Sequence, residues 1–104
     1  MRLRNVKNKE EILNSSKYLI KNSEEYIGNW KSLFDNDNPI YIEIGMGKGK
    51  FIIENALKYP DINFIGIEKY DSVVAKSLPK IPEGLSNLYV IRMDALNIDK
   101  VFSH

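Results

Sequence analysis

The chain has 104 residues, enough for one domain with a modest core, and its 15 Lys and Arg against 14 Asp and Glu make no overall case for a nucleic-acid partner. With no cysteine it has no disulfide framework and no thiolate chemistry, as suits a reducing cytosol. No apolar run nears the roughly 18 residues of a membrane span, and no signal-peptide core follows the basic N-terminus, so a cytoplasmic protein without a membrane partner is expected.

The charge is unevenly spread. Residues 1–31 hold seven basic and four acidic side chains, against eight and ten in the remainder. A basic N-terminal arm and helical segment over 1–39 therefore precedes a mildly acidic unit over 40–104. In the arm, Ile12, Leu13, Ser16, Leu19 and Ile20 share one helical face, which predicts a helix over 9–22. A short connector spans 23–30. Trp30, Leu33 and Phe34 form an apolar patch that reads as core, and Asp35-Asn36-Asp37-Asn38-Pro39 breaks the chain.

From Ile40 a strand–helix rhythm begins. The apolar run 40–44 predicts a strand covered on both faces. A helix over 50–59 follows, with Ile52, Ile53, Ala56 and Leu57 inward and a stop at Pro60. Residues 63–67 form a second strand ending in Glu68. Asp71 can cap a second helix, which carries Val73, Val74 and Leu78 and stops before Pro79. Residues 88–93 form a third strand, followed by Asp94. Strands separated by helices imply parallel right-handed crossovers, hence an α/β fold of Rossmann-like type with about three parallel strands and flanking helices.

The chemistry concentrates at Glu43-Ile44-Gly45-Met46-Gly47-Lys48-Gly49, where a strand enters a glycine turn that opens a helix. Such turns bring backbone close to a ligand at a helix N-terminus, so Gly45, Gly47 and Gly49 are candidate binding positions. Glu43 decides between ligand classes. A carboxylate there would repel the pyrophosphate of a dinucleotide, whereas S-adenosylmethionine brings an ammonium and a sulfonium. Glu68 follows Gly49 by 19 positions, near the roughly 20-residue offset at which an acid accepts from ribose hydroxyls. Asp94 can reach an adenine amino group. In an open parallel sheet all three acids lie at the ligand edge. Lys48 and Lys50 do not make a phosphate loop, because the spacing from Gly45 is wrong and Phe51 stands where a magnesium-binding Ser or Thr is needed. No metal site is expected, and His104, the single histidine, receives no chemistry. Arg2, Arg4 and Lys7 form a basic cluster suited to phosphate contact.

Met1-Arg2-Leu3-Arg4, Gly28-Asn29-Trp30, Asp37-Asn38-Pro39-Ile40, the turn segment above and Asn63-Phe64-Ile65-Gly66-Ile67-Glu68 together resemble bacterial tRNA (guanine-N7-)-methyltransferase across essentially the whole chain. The resemblance implies an S-adenosylmethionine-dependent enzyme acting on a variable-loop guanosine of tRNA, with Glu43, Glu68 and Asp94 at the cofactor and Gly45 contributing backbone. Family members are about twice as long, and their later half carries a Ser-Asp-Pro-Trp-Pro-Lys-Lys-Arg-His-like segment that is absent here. The resemblance therefore implies an N-terminal, cofactor-side half, with no catalytic residue within it and no tRNA methylation by the isolated chain. In the sheet that family is expected to use, strand 40–44 is central; without its next neighbour it is expected to present an unpaired edge, to form a homodimer there, or to be covered by the N-terminal helix. The alternatives are a nucleotide-binding module and a non-catalytic RNA-binding domain.

Overall fold

The computed structural model describes residues 8–21, 23–26 and 29–94. Arg2, Arg4, Lys7 and His104 lie outside the described residues. In chain order the elements are α1 (Lys9–Ser15), β1 (Leu19–Ile20), a 3-10 turn (Ser23–Tyr26), α2 (Trp30–Phe34), β2 (Ile40–Ile44), α3 (Lys50–Lys58), β3 (Asn63–Glu68), α4 (Asp71–Ser77) running into a 3-10 turn (Leu78–Lys80), and β4 (Leu88–Arg92). The strands form one parallel sheet in the order β1-β4-β3-β2.

The helix expected over 9–22 stops at Ser15 instead. Two hydroxyls divert the backbone: Ser15 Oγ donates to Glu11 O at 2.7 Å, and Ser16 Oγ accepts from Tyr18 N at 3.2 Å. Side-chain bonds of this kind offer the backbone an alternative to the helix. Beyond them Leu19 and Ile20 pair with Val90 and Ile91, adding a fourth strand to the three that were anticipated.

All six residues of β3 are buried, because helices cover both faces of the sheet. On one face Phe64, Leu88 and Val90 pack against Ile52, Ile53 and Ala56 of α3, Val74 of α4, Leu78 and Tyr18. On the other, Ile20, Ile65, Ile67 and Ile91 pack against Trp30 and Phe34 of α2, so that apolar patch is core. Asn87 joins the layers: its buried Nδ2 donates to the carbonyls of Ala56, Tyr59 and Ile62 at 2.9–3.1 Å, holding the end of α3 against the start of β4.

Strand β2 departs from its expected burial. Among the described residues it pairs with β3 alone, so it is an edge of their sheet, and Tyr41 and Ile44 remain about half exposed. Helix α1 does not cover it, being packed on α4 instead. Asp71 does not cap α4 either. Tyr70 occupies that position without a side-chain bond, while Asp71 sits one residue inside the helix and pairs with Arg92 Nε at 3.0 Å. Pro79 lies within the 3-10 turn that continues α4.

Candidate ligand-binding site

Past Ile44 the chain leaves the sheet without losing its ladder. The amides of Gly45 and Met46 both donate to Ile67 O, at 2.8 and 3.1 Å. The turn then needs left-handed backbone at Gly45 (φ +71°) and Gly47 (φ +59°), where an L side chain would be strained. Among the described residues nothing lies within 4 Å of where a Cβ would stand on either residue, so they leave that side of the turn open to an approaching molecule. Gly49, also at positive φ, is crowded: a Cβ there would come within 3.3 Å of Ser77 Cβ on α4. It opens α3, its carbonyl accepting from Ile53 N at 2.9 Å.

The three acids project from consecutive strand ends onto this corner of the sheet. Glu68, closing β3, is 8% exposed and held by three backbone amides. Its Oε1 accepts from Gly47 N at 3.0 Å, and its Oε2 accepts from Lys69 N at 3.1 Å and Tyr70 N at 3.3 Å. Its own carbonyl accepts from Met93 N at 3.1 Å, drawing the end of β4 alongside. Asp94 follows at once and pairs with Lys69 Nζ at 3.6 Å, both partly exposed. Glu43 stands opposite Gly66 in register. Its Oε1 is buried with no hydrogen-bond partner among the described residues, and burial pushes its carboxyl pKa up from the ordinary 4.5. Glu43, Gly45, Gly47, Gly49, Glu68 and Asp94 thus gather at the carboxyl edge of one parallel sheet, where open α/β folds bind ligands. Among the described residues no group of three acidic or histidine side chains is placed to hold a metal.

Three participants escape a reading by motif. Met46 is buried beneath the turn, and its Sδ would lie 2.3 Å from a Cβ on Gly66. A glycine inside an apolar strand is the signal for such a close approach. Lys69 covers Asp94, and Arg92 ties the same edge together through Asp71 and Lys69 O. No local pattern marks these two, since their partners lie on other elements.

An α/β corner of this kind is shared by many enzymes, and comparison with known proteins narrows it. A family model described as "Putative methyltransferase" matches residues 37–104. The tRNA (guanine-N(7)-)-methyltransferase of Lachnoclostridium phytofermentans is 45% identical over 104 residues, covering 99% of this chain and 49% of that protein. Its namesake from Geobacillus sp. (strain WCH70) is 49% identical over 105 residues, covering 99% and 48%. The chain spans about half the length of these curated relatives. Among solved structures, the antibiotic-resistance methyltransferase Kmr superposes with a TM-score of 0.55 at 18% identity, over 64% of this chain and 37% of that one. An antibiotic-related methyltransferase gives 0.54 at 23%, over 66% and 37%. These two establish the fold, which is the α/β methyltransferase fold. Since the matched residues hold the whole glycine turn and all three acids, the chain belongs to that methyltransferase family.

Proposed function

We propose that the chain is the donor-binding half of a cytoplasmic S-adenosylmethionine-dependent tRNA (guanine-N7-)-methyltransferase, with 40–104 forming the cofactor side of the domain and 1–39 an arm toward the RNA. The observation that carries this reading is the buried Oε1 of Glu43, without a hydrogen-bond partner among the described residues, beside the glycine turn. A buried carboxylate oxygen calls for a cation or a donor, and a sulfonium amino acid supplies a positive charge where a dinucleotide supplies a negative one. Gly45, Gly47 and Gly49 shape the backbone cradle, Glu68 receives the ribose hydroxyls, and Asp94 exchanges Lys69 for the adenine amino group. Arg2, Arg4 and Lys7 supply phosphate contacts to tRNA. That the relatives are tRNA (guanine-N(7)-)-methyltransferases supports the substrate.

When bound, the cofactor would supply an electrophilic methyl group to the lone pair of guanine N7. N7 carries its lone pair already, so no side chain is needed as a general base. This chain's contribution is alignment and electrostatics. Glu43 and Glu68 would hold the donor from two sides of the glycine turn, Glu43 by charge and Glu68 by accepting hydrogen bonds.

Calorimetric titration with S-adenosylhomocysteine tests the reading. Saturable binding that Glu68→Ala weakens, with none for NAD, is the expected result; preference for NAD would refute it. The 104 residues alone are expected to transfer no methyl group to unmodified tRNA, because the relatives are about twice as long. The bare edge of β2 is also where a second copy would pair. Light scattering should then show a mass that rises toward a dimer with concentration, and a constant monomeric mass would eliminate the pairing.

A further inference from the structure

Glu68 does more than a ribose acceptor requires. An ionised carboxylate offers about four lone-pair positions. Among the described residues, the amides of Gly47, Lys69 and Tyr70 take three of them. A vicinal diol brings two hydroxyl donors to the one position left, so its full engagement displaces an amide. Lys69 and Tyr70 are the next two residues in the chain, and Tyr70 begins α4, so their amides follow the carboxylate wherever β3 ends. Gly47 comes from 21 residues away and lies on a turn whose outer side is open. Its bond is the one that can be exchanged.

We propose that Glu68 is the latch of the glycine turn: its carboxylate positions the turn by holding the Gly47 amide, and a ribose diol competes for the same oxygen. The second clause rests on the functional reading above; the first does not. Glu68 is in this respect a positioning residue for the turn, in addition to its place at the ligand. The consequence is a coupling in which the acid that recognises the sugar also resets the backbone facing the donor. Ligands that lack the diol should leave the turn where it is.

Amide hydrogen exchange, resolved by residue and run first without ligand, separates the two clauses. In Glu68→Ala, Gly47 should exchange about tenfold faster, the loss of one charge-assisted bond. The Phe64 and Val90 amides, bonded to Asn87 O and Tyr18 O inside the sheet, report whether the fold is intact. Should Glu68→Ala not fold, Glu68→Gln keeps the volume but has one acceptor oxygen. Protection must then fall at Gly47 or at the Lys69 and Tyr70 pair. Unchanged protection at all three amides overturns the latch. With adenosine added to the wild-type chain, Gly47 should lose protection, and with 2′,3′-dideoxyadenosine it should not. Adenosine that binds and leaves Gly47 protected overturns the competition. Adenosine that fails to bind removes the functional reading, and the competition with it, while the ligand-free arm still decides the latch.

Discussion

Gly66→Ala is expected to destabilise the fold by about 2 kcal/mol, as overpacked cores do, and to lower the thermal midpoint by roughly 10 °C. The backbone does not demand glycine here, since Gly66 lies in β3 outside the positive-φ set. The demand is steric. An added Cβ would stand 2.3 Å from Met46 Sδ, with Ile52 Cδ1 at 3.3 Å on another side. Met46 has little room to retreat, being buried and already packed toward Gly49, where its Cε lies 3.5 Å from the position a Cβ would occupy. Because Met46 is itself part of the turn, the displacement should carry into the ligand site and weaken S-adenosylhomocysteine binding as well. Denaturant unfolding of the two single variants and the double variant with Met46→Ala provides the check. Contacting residues couple, so Gly66→Ala should cost at least about 1 kcal/mol less when Met46 is already Ala. A Gly66→Ala chain as stable as wild type would show that the sulfur has somewhere else to go.

That contact also marks the limit of what local pattern reveals. The strand over 63–67 was legible from its apolar run, but burial on both faces, expected of residues 40–44, belongs instead to Asn63–Glu68. The glycine turn, its flanking helix and the acids at three strand ends were likewise legible, because each depends on residues a few positions apart. Residues 9–22 misled because Leu19 and Ile20 fit a helical stripe and a strand equally well. The choice is made by the hydroxyls of Ser15 and Ser16 and by pairing with Val90 and Ile91, about 70 residues away. The bonds between Glu68 and Gly47, and between Lys69 and Asp94, are fixed by strand order rather than by spacing. Glu43 carries both lessons. Its place before the glycines pointed to a cationic ligand, while the burial of its Oε1, with no hydrogen-bond partner among the described residues, emerges only in the folded chain.

Glu43→Gln should therefore move stability and binding in opposite directions. The Glu43 carboxyl is pushed above 4.5 by burial. Below that pH it is protonated in both folded and unfolded chains and contributes no difference. As pH rises through the window, the unfolded chain ionises first and binds fewer protons than the folded one, so stability falls with pH. The loss is complete once the folded-state carboxyl has also ionised. Glutamine removes the charge at nearly constant volume. Without added ligand the variant should be modestly more stable at pH 7, by less than about 1 kcal/mol because Glu43 is only partly buried, seen as a thermal midpoint higher by a few degrees. No gain is expected near pH 4, where the wild-type carboxyl is mostly neutral. The same change deprives a cationic ligand of its counter-charge, which should weaken S-adenosylhomocysteine, through its ammonium, by about tenfold or more. Thermal melts at the two pH values and a titration at pH 7 measure both arms. A variant that binds as tightly as wild type would place the amino-acid end of the ligand away from Glu43. One that is less stable at pH 7 would mean that the carboxylate is satisfied in solution. A gain in stability paired with a loss in binding is the signature of a site that holds an uncompensated charge in readiness for its ligand.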